Sequence, residues 1–457
     1  MPDEHARYGG GVTDSVISPV VLVALVVALI LILALPKKKV LIPVLLMTFL
    51  VPLGQQLYFA GIHLFVLRIV ILVGLARALA TRSGTERFLA GGWNSVDTAI
   101  LACTLIEATA VVSLYQESQA LINQIAFVWD WLGGYVLLRA LVRSEEDVYR
   151  ATKWLGIIVA VLGAGMIIEQ VRLVNVFGLL GGVPLVPEIR DGKIRSQAAF
   201  SHSLTAGAFS AASVPLFLLL WKNGRAKYLA AIGVIAATIM TYATQSSTSL
   251  LTYGGGLLGL FLWPMRKKMR MVRWGLLCGL VSLHLIMKAP VWFLIARIDL
   301  TGSSSGYHRA ELINEFINHF SNWWLIGTRD AASWGWDMWD AQNQFVNVGE
   351  SGGLVAIVFF VLIISRSFAQ IGDARKRTDG RTKQWLLWFL GAALFANCVA
   401  FFGVNYFDQS RMAWFLLLAM ISACTGPILR PRRAPVNAVV SAPVLTSDEL
   451  PHPSVRL

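Results

Sequence analysis

The chain has 457 residues, of which 56% are hydrophobic and only 14% are charged, and its mean hydropathy is +0.63. A soluble globular domain carries about 25% charged residues, so this composition excludes an ordinary soluble protein and indicates a polytopic membrane protein. The net charge of +13 does not predict a nucleic-acid partner, because most basic residues lie in short clusters beside apolar stretches, where contact with anionic membrane lipids explains them better.

Apolar stretches, most of them near the roughly 20 residues that a helix needs to cross a bilayer, follow one another along the chain. They predict an all-α polytopic membrane bundle of about 12 to 13 transmembrane helices, with residues 1–430 as a single domain. The predicted spans are 18–35, 40–54, 57–80, 96–115, 121–142, 152–171, 200–221, 228–243, 249–264, 273–288, 346–366, 385–402 and 411–427.

The two ends of the chain differ from this pattern. Residues 1–18 lack the basic start of a secretory signal, so the first span is expected to be an anchor rather than a cleaved peptide. The second span is short and is bracketed by Pro43 and Pro52, so a re-entrant segment is the alternative there. The Pro-rich residues 431–457 have no apolar period and predict a disordered cytoplasmic tail.

Seven short groups of Lys and Arg, here called the basic clusters, lie at one end of successive apolar stretches. They are Lys37–Lys39; Arg77, Arg82 and Arg87; Arg139, Arg143, Arg150 and Lys153; Lys222, Arg225 and Lys227; residues 266–273; residues 366–383; and Arg430, Arg432 and Arg433. Basic residues are enriched in cytoplasmic loops, so the clusters predict an outside N-terminus and an inside C-terminus. The two long loops, residues 172–199 and 289–345, are then extracytoplasmic.

Three ionisable residues, Arg68, Glu107 and Asp130, lie within predicted spans. Charges in a bilayer are usually paired or functional, so these residues predict an ionic cluster in the bundle interior. The cluster is either a structural ion-pair lock or part of an ion or proton pathway. The four cysteines lie far apart in apolar runs and are expected to be buried small side chains.

The two long loops contain arginines on the face where basic residues are normally scarce. They are Arg190, Arg195, Arg297, Arg309 and Arg329. Guanidinium groups match phosphate oxygens, so these arginines predict an anionic ligand, with a membrane-embedded polyprenyl pyrophosphate as the natural candidate. The alternative is a set of ordinary loop charges paired with carboxylates. Those carboxylates are Glu188, Asp191, Asp299 and Asp330.

The second long loop also has a helical apolar pattern and many aromatic residues. Apolar residues recur at helical spacing between Tyr307 and Trp324, which predicts an amphipathic helix on the membrane surface. Tryptophans alternate with acids and amides such as Asp337, Asp340 and Gln342. Such rings form either a belt at the headgroup level or stacking faces for sugars, and the polar neighbours favour a carbohydrate ligand.

Short motifs in and around the loops occur in the order typical of one membrane family. Arg195-Ser-Gln-Ala-Ala-Phe-Ser-His202-Ser-Leu-Thr-Ala-Gly207 resembles the Arg, Phe-x-His-Pro and Gly segment of the O-antigen ligase and O-antigen polymerase family, with serine in place of the proline. Gln245-Ser-Ser-Thr-Ser249 resembles that family's Ser-rich turn without its arginine.

The resemblance continues through the second long loop. His308-Arg309 and the downstream Trp324-Leu-Ile-Gly327 resemble the family's loop signature. Asn343 and Glu350-Ser-Gly-Gly353 resemble its His-Asn and Glu-x-Gly entry to the next helix. The similar region covers about residues 190 to 365.

This resemblance implies a bundle of the C-type glycosyltransferase kind in the bacterial inner membrane. Its expected reaction is the extracytoplasmic transfer of a glycan from undecaprenyl pyrophosphate to an acceptor hydroxyl. The acceptor would be a second glycan, which gives polymerisation, or a lipid or protein, which gives ligation. No Gly-rich phosphate loop or Rossmann-like pattern occurs in the sequence, and we expect neither a cofactor nor a metal.

We expect Arg195 and Arg309 to stabilise the charge that develops on the pyrophosphate, with Arg190, Arg297 and Arg329 in support. Because the leaving group is already activated, holding the two substrates together should supply much of the catalysis.

Glu350, His202 or His308 would orient or deprotonate the acceptor, and Gln342 and Asn343 would contact substrate. Gln342 stands where the family commonly has histidine, and an amide cannot serve as a base.

Two other functions fit parts of the sequence. A transporter, such as a flippase for lipid-linked oligosaccharide, would use Arg68, Glu107 and Asp130, although the sequence lacks the internal repeats common in transporters. A non-catalytic scaffold for an envelope complex would tolerate single replacements of Arg195 and Arg309.

Overall fold

The computed structural model describes residues 15–59, 62–82, 87–298, 300 and 306–430, and over these residues the chain is mostly helical. The predicted tail and Asp299 lie outside the described residues. The helices are α1 (Pro19–Ala34), α2 (Leu41–Leu50), α3 (Val66–Ala80), α4 (Ser95–Tyr115), α5 (Ser118–Val128), α6 (Gly134–Leu141), α7 (Glu145–Arg172), α8 (Ser203–Lys222), α9 (Lys227–Ala243), α10 (Ser247–Phe261), α11 (Met269–Ile286), α12 (Gly306–Asn318), α13 (Phe320–Trp323), α14 (Gln344–Lys376), α15 (Arg381–Ala400) and α16 (Gln409–Leu429). The strands are β1 (Gln56–Phe59), β2 (Ile62–Phe65), β3 (Glu188–Arg190) and β4 (Lys193–Arg195).

Eight helical stretches of the described chain are long and apolar enough to cross a membrane. They are α4, the continuous α5–α6, α7, α8, α11, α14, α15 and α16. The prediction of an all-α polytopic membrane bundle is therefore confirmed. Each predicted span contains a helix, but some are short, such as the 10-residue α2, and the count of 12 to 13 crossings stays a prediction.

The third predicted span, residues 57–80, is helical only from Val66 onward. Its first part is the antiparallel β1–β2 hairpin, in which Gln56 pairs with Phe65 and Tyr58 with His63. The prediction of one continuous helix was wrong because a run of aromatic and apolar residues suits a strand as well as a membrane helix.

Helix α8 is the central helix of the bundle, and 94% of its most apolar 18-residue stretch is buried. Small residues allow neighbouring helices to approach it closely. A Cβ atom on Gly207 would lie 2.7 Å from the Thr244 hydroxyl oxygen and would also meet Ser249. The start of α8 therefore packs directly against Thr244 and the Ser-rich first turn of α10, which brings two of the recognised motifs together.

Helix α11 is the opposite case, because none of its residues is buried. Cys278 on this helix is exposed and Cys398 is only partly buried, whereas Cys103 and Cys424 are buried. The prediction that all four cysteines are buried is wrong for Cys278. Apolar character alone does not distinguish a helix that packs on protein from one that stays exposed.

The basic clusters meet at one end of the bundle. Their contacts include Arg150 to the Lys38 carbonyl (2.8 Å), Arg143 to the Phe88 carbonyl (3.0 Å), Arg225 with Glu146 (2.5 Å), Lys383 with Glu145 (3.5 Å), Arg375 to the Arg266 carbonyl (2.7 Å) and Arg430 to the Trp93 carbonyl (2.5 Å). Helix α7 begins among these clusters and α14 ends among them. The loop after α7 and the loop before α14 therefore lie at the opposite end.

Candidate functional site

The first long loop contains a β-hairpin that carries two of the predicted arginines, Arg190 and Arg195. Asp191 and Gly192 form its turn with φ angles of 50° and 73°, as a type I′ turn requires. The register places Glu188 opposite Arg195, and Arg195 Nη1 lies 3.2 Å from Glu188 Oε1. Arg195 is only 6% exposed, whereas Glu188 is exposed. The expected alternative, pairing of loop arginines with nearby carboxylates, therefore holds for this pair.

Glu169, near the end of α7, holds the backbone that follows Arg195. Its carboxylate is fully buried and accepts hydrogen bonds from the amides of Gln197 and Ala198, each at 3.1 Å. Ala198 has a φ of 51°, which a residue other than glycine seldom adopts. The buried carboxylate stabilises this unusual turn and so fixes the path of the chain after the hairpin.

Asp408, the N-cap of α16, holds the other end of the same segment. It is 1% exposed and accepts hydrogen bonds from the Ser201 amide at 3.1 Å and the Thr205 hydroxyl at 2.7 Å. Burial raises the pKa of the Asp408 carboxyl, although these hydrogen bonds act in the opposite direction. The two contacts lie on either side of His202 and fix the start of α8.

His202 is the N-cap of α8, and its Nδ1 accepts a hydrogen bond from the Leu204 amide at 3.1 Å. Burial, and then the positive charge of Arg195, lower the pKa of His202 below 6.5, so the ring is neutral at pH 7. Because Nδ1 is the acceptor, we place the proton of the neutral ring on Nε2. His202 can therefore donate to a ligand oxygen from Nε2, but it cannot remove a proton there.

Arg309 lies on α12 and is 6% exposed. Its Nε is buried and has no hydrogen-bond partner among the described residues. Burial, followed by the charges of Arg195 and Arg190, lowers the pKa of Arg309 to about 10, and the carboxylate of Asp340 only partly opposes this shift. Arg309 remains protonated at neutral pH, and the charges of Arg190 and Arg195 from the first long loop act on it.

A small hydrophobic core within the second loop positions α12. Leu312 and Phe316 are buried with Trp323 and Trp334, and the rings of Phe316 and Trp323 stack with centroids 3.8 Å apart. The predicted amphipathic helix is therefore confirmed. The centre of its apolar stripe packs against tryptophans of the same loop, whereas Ile317 and Phe320 of the same stripe are exposed. Its placement on the membrane surface stays a prediction.

Two predicted arginines, Arg297 and Arg329, do not join Arg190, Arg195 and Arg309. Arg297 is exposed at the end of the 3₁₀ segment Val291–Arg297. Arg329 is also exposed, and its guanidinium lies over the Tyr115 ring, 5.2 Å from the centroid. Neither is among the charges that lower the pKa of Arg309.

Two recognised motifs, Trp324–Gly327 and the segment that begins at Glu350, are joined through their backbones. The Thr328 amide donates to the Glu350 carbonyl at 2.9 Å, and the Leu354 amide donates to the carbonyl of the first residue of Trp324–Gly327 at 2.8 Å. Gly353 makes this possible, since its φ of 70° and ψ of −169° break α14. The side chain of Glu350 is half-buried beside this break.

His308 precedes Arg309 on α12 and is half-buried. Its Nε2 is buried and has no hydrogen-bond partner within the described part of the chain. Since a buried ring nitrogen usually has a partner, this atom is a candidate for contact with substrate.

Asn343 and Gln342 occupy the start of α14. Asn343 is its N-cap, and its Oδ1 accepts hydrogen bonds from the Phe345 amide at 2.9 Å and the Val346 amide at 3.3 Å. Gln342 donates to Asp340 Oδ2 at 2.6 Å. Both predicted substrate contacts therefore have structural roles, and that of Gln342 orients a carboxylate near Arg309.

Of the three ionisable residues that were predicted to form an ionic cluster, only Arg68 and Asp130 form an ion pair in the structure. Arg68 donates to the two carboxylate oxygens of Asp130 at 2.9 and 2.8 Å. Glu107 instead accepts a hydrogen bond from the Cys103 thiol at 3.1 Å. The guanidinium of Arg411 lies over the Trp131 ring, 5.4 Å from its centroid, and its charge acts on both Asp130 and Glu107.

Sequence reasoning missed Glu169, Asp408 and Arg411. Glu169 and Arg411 lie at the ends of predicted spans and were detectable as charges within apolar runs. An aspartate immediately before a helix is a recognised N-cap signal, and Asp408 fits it.

Within the described ranges, no three His, Cys, Asp or Glu side chains come together as metal ligands would, and metal independence stays a prediction. No protein-family model matches the chain, and no curated protein matches it. The resemblance to O-antigen ligases and polymerases therefore rests on the motifs.

Proposed function

We propose that this protein is a polyprenyl-pyrophosphate-dependent glycosyltransferase of the polymerase or ligase type in a bacterial inner membrane. The observation that carries the proposal is the group formed by Arg190, Arg195 and Arg309. Like charges brought together away from water destabilise one another. Two neighbouring carboxylates, Glu188 and Asp340, offset this charge only in part. A pyrophosphate would neutralise the remainder.

The position of the arginines in the bundle supports a membrane-bound donor. They lie at the end opposite the basic clusters, and the positive-inside rule assigns that end to the extracytoplasmic side. A carrier lipid can present its headgroup there while its chain stays in the bilayer. We propose undecaprenyl pyrophosphate bearing a glycan as the donor.

In the proposed reaction, the acceptor oxygen bonds to the anomeric carbon as the bond from that carbon to the pyrophosphate oxygen breaks. Arg195 and Arg309 stabilise the negative charge on the departing pyrophosphate. His202 adds a hydrogen bond from Nε2. The proton of the acceptor hydroxyl passes to Nε2 of His308, and Glu350 orients the acceptor.

Two exposed aromatic side chains support a glycan acceptor. Trp336 and Trp339 are 87% and 67% exposed, and they precede Asp340 in the second long loop. Flat aromatic faces stack on the apolar faces of sugar rings, and neighbouring carboxylates bind sugar hydroxyls. We therefore favour polymerisation over transfer to lipid or protein.

The test uses the purified full-length protein in detergent with an undecaprenyl-pyrophosphate-linked glycan. Elongated glycan formed without a vesicle barrier supports an enzyme. Arg309→Ala should form no product at normal protein abundance, whereas Arg297→Ala should retain activity.

The second candidate is a flippase, which the half-buried Arg68–Asp130 pair within the membrane spans favours. It predicts no product in detergent and movement of the carrier across proteoliposomes.

A further inference from the structure

A cavity of about 80 Å³ opens at the end of the bundle that holds the basic clusters. One water molecule needs a cavity of only about 10–15 Å³ by the same measure, so this cavity can hold a larger group. Its basic lining residues are Lys37, Lys38, Arg77, Arg82, Arg87 and Arg143. They come from the turn after α1, the end of α3 and the segments before α4 and α7.

The described lining of this cavity is strongly cationic. Its one carboxylate, Asp147, already pairs with Arg150 at 2.5 Å. Arg77 makes a long hydrogen bond of 3.4 Å to the Leu35 carbonyl, and its buried Nε has no partner among the described residues. A ligand with several anionic oxygens would satisfy this donor and reduce the repulsion among the lining charges.

Apart from Thr81, the remaining lining is apolar and includes Val40, Phe88 and Leu141. A free inorganic anion would gain nothing from these side chains, whereas a phospholipid would place its glycerol and the start of its acyl chains against them. Basic pockets between the cytoplasmic ends of membrane helices are suited to anionic lipid headgroups.

We infer that this cavity is a binding site for the phosphate headgroup of an anionic phospholipid. The lipid joins the turn after α1 to the ends of α3 and α6 and the start of α7, and so stabilises the bundle at the end opposite the arginine group. The inference does not depend on the proposed transferase activity.

The experiment compares three proteins, each full-length and delipidated in neutral detergent. They are the wild type, a cavity variant with Lys38→Gln and Arg77→Gln, and a control with Lys267→Gln and Lys268→Gln. The control makes the same charge change at exposed positions in another basic cluster at the same end. Native mass spectrometry measures binding, and the unfolding midpoint measures stabilisation, with cardiolipin, phosphatidylglycerol, phosphatidylcholine or inorganic phosphate added.

We expect the two anionic lipids to bind the wild type and the control and to raise their midpoints. The cavity variant should bind these lipids at least tenfold more weakly, and phosphatidylcholine should have little effect on any protein. Equal binding by the cavity variant, or equal effects of phosphatidylcholine, would overturn the inference. If inorganic phosphate alone reproduces the shift, the site accepts a free anion and the lipid assignment is wrong.

The variant Arg77→Lys, which retains the positive charge, keeps the inference testable if the cavity variant does not fold. It should keep the preference for anionic lipids. Loss of that preference in a folded Arg77→Lys protein would show that charge is not what the cavity recognises.

Discussion

Glu188 and Arg195 face each other across the β3–β4 hairpin, and their side chains form an ion pair at 3.2 Å. The arginine is buried and the carboxylate is exposed. The pair partly neutralises a guanidinium that we assign to the pyrophosphate. In the proposed reaction, Glu188 would therefore compete with the donor pyrophosphate for Arg195.

Replacing Glu188 with Gln should strengthen donor binding, because it removes this competing charge while keeping the size of the side chain. We expect the dissociation constant for undecaprenyl pyrophosphate to fall a few-fold, since the exposed carboxylate is screened by solvent. Asp373→Asn removes the same charge at the opposite end of the bundle and should leave binding unchanged. Weaker binding by Glu188→Gln would mean that the ion pair positions Arg195 instead.

The pH dependence of the protein's stability should reveal the lowered pKa of His202. Burial and Arg195 lower its folded-state pKa below the ordinary 6.5. As the pH falls below 6.5, the unfolded chain therefore binds this proton before the folded protein does. The contribution of neutral His202 to the free energy of unfolding is complete above pH 6.5. It is lost as the pH falls toward and through the lowered pKa of His202 in the folded protein.

His202→Asn tests this prediction, because asparagine retains a good N-cap but does not titrate. Unfolding midpoints measured from pH 8 to pH 5 should fall less steeply below pH 6.5 for the variant than for the wild type. Parallel curves would show that His202 has an ordinary pKa.

Gly327 and Gly353, which lie where Trp324–Gly327 meets the segment that begins at Glu350, should be essential for the geometry of the site. A Cβ atom on Gly353, at a φ of 70°, would lie 2.6 Å from the Leu325 carbonyl oxygen, and one on Gly327 would collide with the Glu350 carbonyl. We expect Gly353→Ala and Gly327→Ala to reduce the transfer rate at least tenfold, because the loop would have to move away from α14.

Gly372→Ala is the matched control for these variants. It lies on the same helix, and its Cβ would meet nothing within 4 Å. Alanine in a helix interior is about 0.5–1 kcal/mol more favourable than glycine, so this variant should be active and at least as stable as the wild type. Full activity in Gly353→Ala would refute the role assigned to the break in α14.

The buried carboxylate of Glu169 should contribute strongly to the stability of the protein. Glu169→Leu leaves the Gln197 and Ala198 amides without their acceptor, and each unsatisfied buried donor costs about 1–3 kcal/mol. Glu169→Gln keeps one acceptor oxygen and should be less destabilising. Thermal unfolding in detergent checks the order, with exposed Glu117→Gln expected within about 0.5 kcal/mol of the wild type. An equal effect of the Leu and Gln variants would contradict the hydrogen-bonding role.

The sequence predicted the helices well, because long apolar runs have few other stable forms in a bilayer. It also singled out Arg195 and Arg309, since arginine is unusual in extracytoplasmic loops, and the structure shows that both are buried; their role in binding substrate stays a prediction. The β3–β4 hairpin was missed even though Asp191-Gly192 is a strong turn signal. The contact between Ser201 and Asp408 joins positions 207 residues apart, and no local pattern reports such a hydrogen bond.

The most direct test of the account is the affinity of the purified protein for undecaprenyl pyrophosphate in three forms: wild type, Arg309→Met and Arg297→Met. Methionine removes the charge but keeps a long flexible side chain, and the exposed Arg297 serves as the matched control. We predict that Arg309→Met binds at least tenfold more weakly, equivalent to about 1.4 kcal/mol, at unchanged or higher stability, while Arg297→Met binds within about twofold of the wild type. Wild-type affinity in a folded Arg309→Met protein would contradict the claim that the buried arginines bind the pyrophosphate.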